Sequence, residues 1–186
     1  MLLFVSIIVG LIVGVSIKGS FIRLCALRAL WLPIITLAAS SVIRYFPDMS
    51  FWIKAAVLTF SYACIIMFVF ANRRYITPSI FLALGSVSNF LVIAMNSFRM
   101  PVSAKALAVY SDMTAQAVIA QRSDYFIASN GAGLLFLGDV IYIPIPILKG
   151  FLSIGDILIS IGMFLLILFV MKDNTIKTSE KAHEES

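Results

Sequence analysis

The chain has 186 residues, of which 61% are apolar and only 12% charged, with a mean hydropathy of +1.05. A water-soluble domain of this size does not carry that balance, so lipid is expected to be part of its solvent. The net charge of +5 does not point to nucleic acid, which is excluded as a partner, because the basic residues flank apolar stretches instead of forming an exposed face; lipid headgroups are the expected counter-charge.

Taken in chain order, the apolar runs predict an all-α membrane protein, a bundle of about five transmembrane helices forming one domain over 1–171, with spans near 2–17, 24–43, 51–71, 76–95 and 152–171. The first run has no basic residue before Lys18, the reverse of a secretory signal peptide, and is therefore expected to be a retained span. Within it Gly10 and Gly14 form a GxxxG pair, which marks close helix approach, either inside the bundle or in a homodimer. The second run is short, so its helix is expected to start early, with Arg23 and Arg28 snorkelling toward headgroups. Cys25 and Cys64 are expected to be packing residues rather than a disulfide. Trp31, Tyr45, Trp52 and Tyr75 lie near span ends and are expected to be interfacial anchors. In the fourth span Ser86, Ser88 and Asn89 are polar in mid-membrane, and Asn89 is assigned to interhelical hydrogen bonding and helix packing in preference to a substrate contact.

Basic residues set the orientation. Lys18, Arg23 and Arg28, then Arg73 and Arg74, then Lys172, Lys177 and Lys181 fall on one side, denser than the basic residues opposite. The positive-inside rule then places the N-terminus outside and the C-terminus in the cytoplasm. The polar tail 172–186 is expected to be disordered.

The connection 96–150 is too long for an ordinary loop and is expected to carry structure of its own, partly helical and re-entrant, on the outer side. From Ser103 to about Gln121 the spacing predicts an amphipathic surface helix, with Leu107 and Tyr110 on one face and Asp112 and Gln116 on another. Gly133 to Ile143 is too short to cross and too apolar to be a solvated loop, so a re-entrant or interfacial segment is expected. Pro144 and Pro146 then enforce an extended path toward Lys149, Gly150 and the last span.

Catalytic machinery is not visible. The single histidine, His183, sits in the tail, and the sequence has no CxxC, no phosphate-binding glycine loop and no carboxylate pair at i, i+4 within a span, so no catalytic residue, metal ligand or cofactor is assigned. A polar set at the outer side remains: Asn96, Arg99, Asp139 and Asp156. An ionised carboxylate one turn into a span needs a cation, water or the bundle interior, which makes Asp156 a ligand candidate. The alternative is that Ser153 and Asp156 form a capping box at the start of the last helix, and this is the preferred reading of the two. Arg99 is equally well explained by pairing with Asp139 or Asp156 to hold the connection on the bundle.

The segments Asn96-Ser97-Phe98-Arg99-Met100-Pro101-Val102-Ser103, Leu137-Gly138-Asp139 with Pro144 and Pro146, and Ser153-Ile154-Gly155-Asp156 together resemble an uncharacterised family of small bacterial multi-pass membrane proteins, a domain of unknown function. The resemblance covers essentially the whole chain and is most specific after Asn89. It implies a bacterial cytoplasmic membrane location and five spans, with no activity to carry over. In that family a glycine often follows the first asparagine; Ser97 in its place implies a less tight turn.

The expected function is non-catalytic binding of a polar or amphiphilic small molecule, or a lipid headgroup, at an outward-facing site formed by Asn96, Arg99, Asp139 and Asp156, serving transport, lipid translocation or sensing. The alternative is a scaffold or accessory subunit that docks a membrane protein partner through the Gly10 and Gly14 face or the surface helix. A membrane enzyme using Asp139 or Asp156 as acid or base ranks last, because no nucleophile or metal site accompanies them.

Overall fold

A computed structural model describes residues 2–46, 48–108, 124–128, 131–143, 145 and 150–174; for Arg44, Lys105 and Ala108 it describes the backbone alone. The helices are α1 (Leu2–Ser16), α2 (Trp31–Tyr45), α3 (Phe51–Ala71), α4 (Ile76–Met95), a single turn α5 (Ala104–Ala108) and α6 (Ile154–Lys172), and a 3-10 segment over Phe21–Ala26 precedes α2. Among the described residues α3, α4 and α6, of 21, 20 and 19 residues, are long and apolar enough to cross a membrane; at 1.5 Å per residue each reaches roughly 30 Å, the thickness of a bilayer's hydrocarbon core. The apolar helices α1 and α2 have 15 residues each and by the same measure reach only roughly 22 Å.

The second helix starts at Trp31, later than the expected 24. The cause is Pro33: it has no N–H, and its ring would collide with the carbonyl of Ala29 if the helix ran through. Ala29 instead takes a left-handed φ of 56°, and Leu32 N–H donates to its carbonyl at 3.0 Å. Arg23 is consequently not a snorkelling residue at a helix surface. It is 8% exposed and donates from Nη1 to the Met171 carbonyl at 2.9 Å, where a cation complements the C-terminal end of α6.

Helix α6 is the centre of the bundle, with α1 parallel to it on one side and α4 antiparallel on the other; α3 packs on α4, and α2 on α3. Gly10 and Gly14 face α6, where added Cβ atoms would meet Ile167 and Met171. The α4–α6 seam is closer still: a Cβ on Gly85 would lie 2.6 Å from the Gly155 carbonyl oxygen, and one on Gly162 would lie 2.8 Å from the Leu82 backbone nitrogen. Small residues are what let two helices approach this far. The apolar core gathers Leu32, Cys64, Phe68, Val69, Leu82, Leu166 and Val170 from four helices. Away from it, the outer faces carry exposed Ile12, Ile34, Leu37, Phe60, Phe70, Ile80, Leu84 and Phe169.

One end of the bundle collects the basic residues and is closed by side-chain bonds to backbone. Asn72 (3% exposed) donates from its amide to the Arg28 carbonyl and accepts from the Arg28 N–H, both at 2.9 Å. Asp173 pairs with Arg74 and accepts from the Tyr75 hydroxyl at 3.0 Å. Tyr75 is thus buried in a polar contact instead of lying open as an anchor, whereas Trp31, Tyr45 and Trp52 are exposed. Cys64 is buried, but Cys25 is exposed, not packed.

At the other end the 96–150 connection forms short strands that the periodicity did not predict. β1 (Met100–Ser103) pairs in parallel with β2 (Tyr125–Ala128), and β3 (Ile141–Ile143) pairs antiparallel with β4 (Gly150–Leu152). The Gly133 to Ile143 stretch is not a single re-entrant segment: it is a 3-10 turn over Leu135–Leu137, a bridge at Asp139 and then β3. Of the expected surface helix, Ala104–Ala108 is helical; residues 109–123 lie outside the described residues, as do Pro144, Pro146 and the tail beyond Asn174.

Candidate functional site

The exit from α4 fixes the site's geometry. Asn96 ends the helix, Ser97 and Phe98 both have φ of 56°, and Phe98 N–H donates to the Ile93 carbonyl at 2.9 Å. This is a Schellman closure with a left-handed residue just past the cap. The turn is therefore tight in spite of serine at the glycine-favouring position, contrary to what the substitution implied. Its effect is to fold Phe98 back over the start of α3, where its ring lies 5.8 Å from that of Phe51.

Asn96, 8% exposed, anchors the returning connection. Its amide donates to the Gly133 carbonyl at 2.7 Å and its Oδ1 accepts from the Gly133 N–H at 3.1 Å. Arg99 does not reach Asp139 or Asp156. It donates from Nη2 to the Tyr125 carbonyl at 2.6 Å and lies 5.7 Å from the centre of the Phe126 ring, so it pins β2 beside β1 from the exposed side.

Asp139 is placed by main-chain bonds. Its N–H donates to the Pro101 carbonyl at 2.9 Å and its carbonyl accepts from Ser103 N–H at 3.1 Å, which makes it a third strand position against β1. Gly138 is what permits this approach, since a Cβ there would sit 2.6 Å from the Pro101 carbonyl oxygen. The Asp139 side chain is 2% exposed and faces inward.

Asp156 completes the expected capping box and also faces α4. Ser153 caps α6 by accepting from Asp156 N–H at 2.9 Å, and the Asp156 carboxylate accepts from Ser153 N–H at 3.2 Å, a complete capping box. The other carboxylate oxygen accepts from the Asn89 amide at 2.9 Å, and Ser153 Oγ donates to Asn89 Oδ1 at 2.9 Å. Asn89 therefore bridges α4 to the start of α6. That bridge depends on Gly155, because a Cβ there would collide with the Asn89 amide.

Between these groups is a cavity of about 240 Å³. Its polar lining is Asn89, Asp124, Asp139, Asp156, Tyr62, Tyr125 and Ser40, and its apolar walls include Leu58, Ile93 and Met100. Of the four residues singled out in the sequence, Asp139 and Asp156 meet in the cavity, whereas Asn96 and Arg99 build its cover from outside. Tyr62, Asp124 and Tyr125 were missed. Tyr62 lies in a featureless apolar run, and Asp124 and Tyr125 are brought over the cavity only by strand pairing, as Met100 N–H donates to the Asp124 carbonyl at 2.8 Å. Lys54 (8% exposed) lies one helical turn before Leu58 on the same face of α3, and so approaches the same end of the bundle. Among the described residues no group of His, Cys, Asp or Glu is arranged to hold a metal ion.

The fold and site define a small helical bundle with three helices of membrane-crossing length and a polar cavity capped by a strand-containing connection. The sequence model of a family of unknown function, DUF5317, matches residues 24–168, and the chain belongs to that family. The match contains every residue that lines the cavity and leaves out α1. No curated protein and no solved structure matches the chain.

Proposed function

We propose that the protein is a five-span membrane protein that binds a polar or amphiphilic small molecule in the cavity under the 96–150 connection, in the service of transport, lipid translocation or sensing. The observation that carries this reading is that two carboxylates from distant segments, Asp139 and Asp156, converge on one cavity with Asn89 and two tyrosines. Few convergent polar groups within a concave, partly apolar pocket are the usual make-up of a small-molecule site. Support for the membrane comes from the continuous exposed apolar faces of the helices, which water would not tolerate. In this reading α1 and α2 complete the five spans by tilting less than their neighbours and by thinning the bilayer locally, as short spans do. The basic end faces the cytoplasm of a bacterial cell and the cavity faces outward.

Within the site Asp139, Asp156 and Asn89 contact the ligand, and Asn96 and Arg99 act as positioning residues through Gly133 and Tyr125. The scaffold alternative is less well supported, since the glycine face of α1 that would have served a partner is covered by α6.

Native mass spectrometry of protein released from its own membranes tests the proposal. Wild type should carry a discrete adduct, Asp156→Asn should lose it, and Arg99→Ala, which changes an exposed residue outside the cavity, should keep most of it. Equal adduct on wild type and Asp156→Asn would remove the cavity as the binding site.

A further inference from the structure

A second opening shares Tyr62 with the cavity. It is a cleft of about 250 Å³ between α3 and α4, walled by Ala63, Ile66, Val87 and Phe90 together with Tyr62, whose ring packs on Phe90 with centroids 5.4 Å apart. Ala63 and Val87 are exposed, so the cleft opens sideways through the outer face of the bundle, beside exposed Phe60 and Leu91. An apolar cleft left empty forfeits the contacts of its walls. In a bilayer it is filled by something the membrane dissolves.

One polar group in the wall narrows the choice. Ser86 lines the cleft, is fully buried and has no hydrogen-bond partner among the described residues. Four serines of α1, α2 and α3 behave differently: Ser16, Ser40, Ser41 and Ser61 each donate to the carbonyl four residues earlier, a bond that satisfies a hydroxyl within an apolar helix. Ser86 leaves that bond unmade near the middle of α4, which runs from Ile76 to Met95, and so lies roughly 15 Å from either end. An unsatisfied hydroxyl at that depth has no water to turn to and is costly. The ester oxygens of a phospholipid stay at the border of the hydrocarbon core, also roughly 15 Å from its middle, and do not reach it.

Resting on the membrane reading, and not on what the cavity binds, we infer that the cleft is a second site, for the ring of a lipid-soluble quinone. Such a molecule carries carbonyl acceptors on a flat apolar ring and takes them into the interior of the bilayer. The ring lies against Tyr62 and Phe90, in the offset or edge contact that aromatic groups favour. Ser86 turns about its Cα–Cβ bond to donate to a ring carbonyl, and the hydrocarbon tail passes out between Ala63 and Val87 into the lipid. The cleft volume falls just short of the about 300 Å³ at which sites for drug-sized ligands begin, which suits one ring and not a whole lipid. The ligand is uncharged, so its binding does not depend on the charges under the 96–150 connection.

The test is calorimetric titration of the full chain in lipid nanodiscs, with the signal of empty nanodiscs subtracted, using menadione, a tail-less naphthoquinone, and methylnaphthalene, the same ring system without carbonyls. Menadione should bind saturably at one site, and methylnaphthalene about fivefold more weakly or less tightly still. Ser86→Ala should weaken menadione by about fivefold or more and leave methylnaphthalene unchanged. In the ligand-free protein the same substitution removes an unsatisfied hydroxyl and should not lower the midpoint of unfolding. Ala63→Phe, which adds a ring at the mouth of the cleft, should abolish menadione binding, whereas Asp156→Asn, within the cavity, should leave it unchanged. Absence of saturable menadione binding, equal binding of the two compounds, or a Ser86→Ala or Ala63→Phe protein that binds as wild type does would overturn the inference. So would a lowered midpoint for ligand-free Ser86→Ala, or loss of menadione binding in an Asp156→Asn protein of wild-type helicity. If menadione fails while the native adduct remains sensitive to Asp156→Asn, the cleft site falls and the cavity reading stands; menadione binding with the expected dependences and no native adduct leaves the reverse.

Discussion

The two ends of the bundle use the same device for different results. At each, an asparagine at a helix C-terminus pairs with the backbone of one distant residue through both faces of its amide: Asn72 with Arg28 at the basic end, Asn96 with Gly133 at the other. At the basic end the surroundings close up, with Arg23 on the Met171 carbonyl and Asp173 between Arg74 and Tyr75. At the opposite end the same clamp holds a connection away from the helices, and a cavity with three carboxylates remains beneath it. The difference arises just past the asparagine. After Asn72 the chain returns directly into α4, whereas after Asn96 a left-handed turn sends it into β1, which recruits β2 and Asp139 as a cover.

The strongest way to break this contrast is at the seam on which the cavity floor stands. Gly155→Leu drives a side chain into Gly85 and Asn89, where overpacking costs about 3 kcal/mol or more, and thermal unfolding followed by helical circular dichroism should show the largest loss in the series. Asn89→Leu leaves Asp156 and Ser153 short of a partner each. The loss of a hydrogen bond to a charged group is worth about 2 kcal/mol, and hydrogen exchange should show the loosening at the start of α6 while the Asn72 region stays protected. Ser97→Gly sharpens the comparison in the other direction. It relieves a left-handed serine and should stabilise the protein by about 1 kcal/mol, read as a raised midpoint of unfolding with the native adduct unchanged. Arg74→Ala removes an ion pair whose arginine is half exposed (51%), and a change of under about 0.5 kcal/mol is expected.

Much of the bundle was legible in the sequence because its signals are long. Three uninterrupted apolar runs gave α3, α4 and α6, and Ser153 with Asp156 gave the cap of the last helix. The start of α2 was misjudged since hydropathy averages over Pro33, whose missing N–H is a local fact. The strands were invisible for a different reason: runs of three or four residues have no periodicity to detect, their partners lie far along the chain, and the bridge of Asp139 to β1 needs Gly138 to meet Pro101. The site was half legible. Asp139 and Asp156 stand out as carboxylates among apolar residues, but only the fold distinguishes them from Asn96 and Arg99, which bond to Gly133 and Tyr125 of the connection and do not line the cavity.

The contrast between the ends becomes a statement about a membrane when the ends are labelled from one side. In a Cys25→Ser background, with Cys64 buried, Ser97→Cys and Arg73→Cys place single thiols at exposed positions of opposite ends. An impermeant maleimide added to intact cells should modify the thiol at 97 and reach the one at 73 only after permeabilisation. Modification of both from outside, or of the thiol at 73 alone, would contradict a bundle that crosses the membrane with its cavity facing outward.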